Sequence, residues 1–244
     1  VVTNFPIKFA PPKLLVSVRN LKEAQAALEG GCDWLDVKEP SAGSLGAPSA
    51  ESLSEIATIA GSFVGWSAAL GELKEFSESN WNQFTHTTPS LSMVKLGLSE
   101  CANQVGWQDR LKKIREIQPH VALATVYYAD RENAISPGWK QTVETALELG
   151  SPVILIDTFS KNGRSLLDYL SLEQLQMFRD QLTALGLGLA LAGSLQPEHI
   201  PQLVSKIHPD LVAVRGAACK SGRNSELCPA RVALLKRIIN QPHD

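Results

Sequence analysis

The chain is short of the residues that build disulfide frameworks and metal sites. Its four cysteines, Cys32, Cys101, Cys219 and Cys228, form no Cys-x-x-Cys pair, and its five histidines show no ligand spacing. Neither a disulfide scaffold nor a zinc site is expected, and reduced thiols are the default. No apolar run approaches the roughly 18 residues of a membrane span, and Val1 to Pro12 lacks a basic region followed by an apolar one. An excess of one charge is missing too. With 23 basic against 25 acidic residues the net charge is -2, which gives no electrostatic case for nucleic acid or an anionic membrane. These absences lead to the expectation of a cytoplasmic protein whose partners are small molecules. Self-association into a homo-oligomer stays open, because nothing marks a face for it.

What is present is material for a core. The chain has 244 residues and 44% hydrophobic content, close to the ~250 residues of a single barrel of alternating strands and helices. Apolar runs bounded by glycine and proline predict strands at Leu14–Val18, Trp34–Pro40, Phe63–Ala69, Leu91–Leu98, His120–Tyr127, Pro152–Asp157, Leu187–Ala192 and Asp210–Arg215. Between them, helices are expected from an Asn20 cap to Leu28, over Ala50–Ala60 behind Ser49, over Gln104–Gln118, from Pro137 to Leu149, over Leu172–Leu185, from a first turn holding Pro197, and over Pro229–Ile239. Residues 72–89, with Trp81 and Phe84, show no clear period. Eight strands without a Pro-rich linker point to an α/β fold, a closed (β/α)8 TIM barrel over residues 13–244 after a lead-in at 1–12. An open doubly wound sheet is the runner-up, but the three spaced glycines of a dinucleotide site are missing after strand one.

The unusual stretch is Trp34-Leu35-Asp36-Val37-Lys38-Glu39-Pro40. Alternation sends Leu35 and Val37 to one face of a strand and Asp36 and Lys38 to the other. Burying such charges costs several kcal/mol per ion unless they are well partnered. Lys95 repeats the anomaly inside Leu91–Leu98, and Asp157 ends an otherwise aliphatic strand. With Ser17, Arg19 and Arg215, these residues all fall at the C-terminal ends of strands, where barrels keep their active sites. After strands seven and eight, Ala192-Gly193-Ser194 and Arg215-Gly216-Ala217 carry the small residues that let backbone N–H groups reach a phosphate.

Two lysines and an aspartate near such a site suggest amine catalysis. A lysine near another cation in a dry pocket has a lowered pKa and can attack a carbonyl to form a Schiff base, which then acts as an electron sink. The second lysine and the aspartate supply acid and base, and the scheme calls for no metal and no other cofactor. The bland alternative is a pair of structural ion pairs, Lys38–Asp36 and Lys95–Asp157.

Five motifs carry a resemblance. They are Asp36-Val37-Lys38-Glu39-Pro40 with Gly43-Ser44-Leu45-Gly46, Val94-Lys95-Leu96-Gly97-Leu98, Leu155-Ile156-Asp157-Thr158 with Lys161 and Gly163, Ala190-Leu191-Ala192-Gly193-Ser194, and Val214-Arg215-Gly216-Ala217-Ala218-Cys219. From about Leu14 to Arg237 the chain resembles the (5-formylfuran-3-yl)methyl phosphate synthases of methanofuran biosynthesis. The resemblance implies a lyase that condenses two molecules of glyceraldehyde 3-phosphate to a furan aldehyde phosphate, with loss of phosphate and water. It implies Lys38 as the Schiff-base lysine, Lys95 as the proton-transfer lysine, and Asp157 and Lys161 as further active-site members. Lys161, Arg215, Gly193, Ser194, Gly216 and Ala217 would hold the phosphates of a sugar-phosphate substrate, with Asp36 beside the lysines. The alternatives are an aldolase or isomerase acting on another sugar phosphate, or a barrel that binds sugar phosphates without turnover.

Overall fold

Strand alternation sorts the aliphatic side chains into two cores. The computed structural model of the protein describes residues 12–60, 65–77, 91–117 and 119–242. Among these, parallel strands run in sequence order around a closed barrel: β1 (Lys13–Val18), β2 (Trp34–Val37), β3 (Gly65–Glu72), β4 (Met93–Gly97), β5 (Ala122–Tyr128), β6 (Val153–Asp157), β7 (Gly188–Leu191) and β8 (Leu211–Val214). β8 returns to pair with β1, so no sheet edge is left open. One set of alternate residues, such as Leu35, Val37, Val94 and Leu96, packs in the layer shared with the helices. The other set, including Leu15, Met93, Leu155, Ala190 and Ala213, fills the barrel interior.

Local signals place the helices. Asn20 caps the helix Leu21–Glu29 by accepting from the Glu23 backbone N–H at 3.0 Å. Ser49 does the same for Ser52 at 3.1 Å, ahead of Ala50–Ala60. Gly150, at φ +61°, stops Trp139–Leu149. Among the described residues no helix is long and apolar enough to cross a membrane.

Some bounds move by a few residues, since the strand expected to reach Pro40 ends at Val37 and the helix expected from Gln104 starts at Trp107, and two expectations need fuller correction. β3 does not stop at Ala69 but runs to Glu72, because Gly71 takes φ +84° and its register with β4 shifts between Ala69 and Glu72. Pro197 is not in the first turn of a helix. A turn closed by His199 N–H to Gln196 O, with Gln196 N–H donating to His199 Nδ1, delays the helix to Ile200–Ile207, where Pro201 occupies the first turn. Phe63, Trp81, Phe84 and Val1–Pro11 lie outside the described residues.

Candidate active site

A cavity of about 560 Å³ opens at the C-terminal end of the barrel, within the size range of small-molecule sites. β2 directs Asp36 into it, and neighbouring strands surround the carboxylate with donors. Ser67 Oγ on β3 donates to Oδ1 at 2.7 Å, Ser17 Oγ on β1 donates to Oδ2 at 3.2 Å, and Lys95 Nζ on β4 lies 2.6 Å from Oδ1. Strand register produces this arrangement, since Ser17, Asp36 and Ser67 are direct partners across β1, β2 and β3. Lys95 is 2% exposed, and the carboxylate offsets the cost of burying its ammonium.

Lys38, just past β2, is in a different position. No carboxylate among the described residues is within ion-pair distance of its Nζ, which donates only to the Ser44 carbonyl at 3.3 Å. Burial lowers its pKa to about 8; the more distant charges of Asp157 and Asp36 oppose that effect, while Lys161 and Lys95 reinforce it. Relative to an ordinary lysine near 10.4, this raises the neutral amine at pH 7 by roughly two orders of magnitude. The two lysines are therefore unequal: one is a paired cation and the other a partly neutral amine. The alternative of structural ion pairs between Lys38 and Asp36 and between Lys95 and Asp157 is not what forms. Cross-strand geometry puts Asp36 within reach of Lys95 and leaves Asp157 to Lys161.

Asp157 ends β6. Its Oδ1 accepts from Lys161 Nζ at 2.9 Å and from the Thr158 backbone N–H at 2.7 Å, while Ser44 Oγ sits 3.2 Å from Oδ2. Burial alone would raise this carboxyl, yet Lys161 and Lys38 outweigh it and hold it below the usual carboxylate range. Lys161 spends all three of its donors, on Asp157, the Thr158 carbonyl and Thr158 Oγ1. Ser44 also reaches the Thr158 carbonyl at 2.9 Å and so fastens the loop after β2 to the end of β6.

The far wall is built from the loops after β7 and β8. Gly193 has φ +93°, and a Cβ there would come within 3.1 Å of Thr158 Cγ2, so any other residue would be strained at this position. Ser194 follows at φ +53°. Among the described residues nothing accepts from the backbone N–H groups of Gly193, Ser194 or Gly216, and all three residues line the cavity. Ala217 does not line it, because in the helical turn Gly216–Ala218 it packs into the outer core.

Arg215 stands at the rim, but its guanidinium is fully occupied. Nε donates to the Arg223 carbonyl, Nη1 to the Ser17 carbonyl and Glu23 Oε2, and Nη2 to Glu23 Oε1 and the Ser225 carbonyl. Those contacts use all five N–H groups. Arg19 joins the cluster through Glu23 and does not line the cavity.

Ser44, Ser67, Glu23 and Arg223 were not among the expected site residues. Ser67 was within reach, since it shares the inward face of β3 with Ala69. The four cysteines are free thiols, and burial pushes Cys32 and Cys101 up to about 12, which removes both as nucleophiles at neutral pH.

Comparison with known proteins places the chain in a family. A family model described as 4-HFC-P synthase matches residues 14–236. A (5-formylfuran-3-yl)methyl phosphate synthase of Methanocaldococcus jannaschii is 33% identical over 216 residues, covering 86% of this chain and 91% of that protein. The same-named protein of Methanosarcina mazei is 32% identical over 240 residues, covering 93% and 97%. Among solved structures, phosphoribosyl anthranilate isomerase from Thermotoga maritima superposes with a TM-score of 0.66 at 18% identity, covering 93% of this chain and 98% of that one. Thiamine phosphate pyrophosphorylase from Pyrococcus furiosus gives 0.61 at 12% identity, covering 94% and 95%. These structural likenesses show the shared barrel.

Proposed function

The chain belongs to the 4-HFC-P synthase family, and from that membership we propose that it is a Schiff-base lyase joining two molecules of glyceraldehyde 3-phosphate into (5-formylfuran-3-yl)methyl phosphate. One inorganic phosphate and two waters leave, which balances the atoms. The product is proposed to serve methanofuran assembly.

The observation that carries the reading is the contrast between the two buried lysines. Lys38, with its pKa near 8 and no ion-pair partner among the described residues, is the nucleophile. Its neutral amine adds to the aldehyde carbon of one triose, and loss of water leaves the protonated imine, whose positive nitrogen draws electrons from the adjacent C–H bond. Asp157, held ionised by Lys161 and Lys38, takes that proton as general base. The enamine carbon then bonds to the carbonyl carbon of the second triose. Lys95, charged and fixed on Asp36 at 2.6 Å, supplies the proton to the oxygen that becomes an alcohol. A hydroxyl oxygen then closes the ring on the imine carbon, and expulsion of the Lys38 amine, loss of a second net water and loss of one phosphate give the aromatic furan and restore the free lysine. The unclaimed N–H groups of Gly193, Ser194 and Gly216 suit the phosphate of the retained triose. Lys161 serves by positioning Asp157 rather than by meeting phosphate, since its donors are spent.

The test is turnover of glyceraldehyde 3-phosphate followed by product mass, the near-ultraviolet absorbance of a conjugated furan aldehyde, and free phosphate. The expected ratio is one phosphate released per furan formed. Isomerised triose with no furan would reduce the protein to an acid–base isomerase, and bound but unchanged substrate would leave only a sugar-phosphate-binding barrel.

A further inference from the structure

The cavity shows an imbalance of cations that the proposed reaction has to meet. Substrate brings in a phosphate on each triose, yet Arg215 and Lys161, both expected to meet phosphate, have every donor engaged by the protein. A guanidinium already held by five acceptors cannot take a phosphate without breaking a buried ion pair, at a cost of several kcal/mol.

Arg223 is placed differently. It stands in the loop between Gly216 and Leu227, after Gly222 at φ +84°, and lines the same cavity as Lys38, Asp157 and Gly193. Its carbonyl is anchored by Arg215 Nε at 2.9 Å. Its backbone runs past Gly216 at ordinary contact distance: a Cβ on that glycine would lie 3.7 Å from the Arg223 nitrogen and 3.9 Å from its Cβ. Arg223 and Gly216 are thus neighbours on the wall of the cavity. Nη2 donates to the carbonyls of Pro40 at 3.0 Å and Gly43 at 2.9 Å, the two ends of the short helical turn that follows Lys38 and Glu39. The N–H groups on Nε and Nη1 meet no acceptor among the described residues. Burial pulls this guanidinium below its ordinary value, though an arginine remains charged. A half-buried cation with unspent donors is poorly compensated until an anion arrives, and hydrogen bonds to such an anion are the strong kind.

We propose that Arg223, and not Arg215, is the guanidinium that takes a substrate phosphate, using Nε and Nη1 while Nη2 ties the loop after Lys38 to the phosphate end of the cavity. This deepens the reading given above and rests on it. Arg215 and Glu23 are then the mount on which Arg223 hangs. A single side chain links phosphate occupancy to the order of the segment beside the nucleophile, so a triose without phosphate would meet a less well fixed amine.

The direct test is calorimetric titration of the full chain with inorganic phosphate, comparing the natural protein with Arg223→Met and Arg223→Lys. Arg223→Met is expected to weaken phosphate binding about ten- to a hundredfold, with Arg223→Lys in between. Circular dichroism checks that the variants are folded. In parallel, borohydride trapping compares glyceraldehyde 3-phosphate with D-glyceraldehyde, which lacks the phosphate. In Arg223→Met the loss of adduct should be at least about tenfold greater for the phosphorylated aldehyde. Equal losses for both aldehydes, unchanged phosphate affinity, or no phosphate binding by the natural protein would each overturn the assignment. The two readings fail separately. Absence of furan product with Arg223-dependent phosphate binding sinks the proposed reaction and leaves this inference, whereas furan formation with phosphate affinity indifferent to Arg223 does the reverse.

Discussion

Two sets of opposite charges are buried at the rim of the barrel, and they differ in how completely they are satisfied. Around Glu23 the account closes. Both carboxylate oxygens are taken by Arg215 and Arg19, and every Arg215 donor has an acceptor. Around Lys38 it stays open, because Asp36 went to Lys95 and Asp157 to Lys161, and the remaining amine has one carbonyl at 3.3 Å. A closed cluster has no group left to react and serves as framework. An open one holds a group whose charge is unstable, and that instability is a source of reactivity.

The comparison breaks most sharply at Lys38. Lys38→Arg keeps the charge and removes the nucleophile, so turnover should fall by at least about a thousandfold while the protein stays folded. Initial rates and circular dichroism check both halves. The pH dependence sharpens the point. Adduct formation should rise about tenfold per pH unit below 8 and level off above it, since the neutral amine is the reacting form. The linked stability has a definite sign: because the folded pKa is depressed, unfolding free energy should gain from this site as pH rises from about 8 towards the ordinary lysine value near 10.5.

The opposite behaviour is expected at Glu23. Glu23→Ala strands the buried Arg215 guanidinium and should cost about 3–5 kcal/mol of stability in denaturant titration. Burial would raise this carboxyl, but the hydrogen bonds and charges of Arg215 and Arg19 hold it below the ordinary 4.5. Its stabilisation is thus complete above pH 4.5 and drains away as pH falls through the depressed value. A smaller effect belongs to Ser44, whose hydroxyl touches Asp157 and the Thr158 carbonyl. Ser44→Ala should lower turnover about three- to tenfold with little change in half-saturation by substrate, matching the loss of one hydrogen bond of about 0.5–1.5 kcal/mol. Steady-state kinetics separates the two parameters.

The strands and most helices were legible because their signals are local: period-two aliphatics, the Asn20 and Ser49 caps, and the glycine after Leu149. So was the convergence of Asp36, Lys38, Lys95 and Asp157, since alternation alone sends them inward. The partners were not legible. Which lysine meets which carboxylate depends on register across β2, β3 and β4 and on the reach of Lys161, and no spacing along the chain encodes that. Arg215 looked like a phosphate ligand because it ends a strand beside glycine, and only Glu23, on a helix one turn past Arg19, reveals that it is occupied. Arg223 gave no signal in a polar loop, and its place became visible only through the carbonyls of Pro40 and Gly43.

The most direct measurement is peptide mass spectrometry of the protein incubated with glyceraldehyde 3-phosphate and reduced with borohydride, across a pH series. The expected result is a single adduct on Lys38 whose yield at short times climbs towards pH 8 and then levels off. An adduct on Lys95 or Lys161 instead, or furan formation with no trapped adduct at any pH, would contradict the claim that the unpaired lysine is the nucleophile.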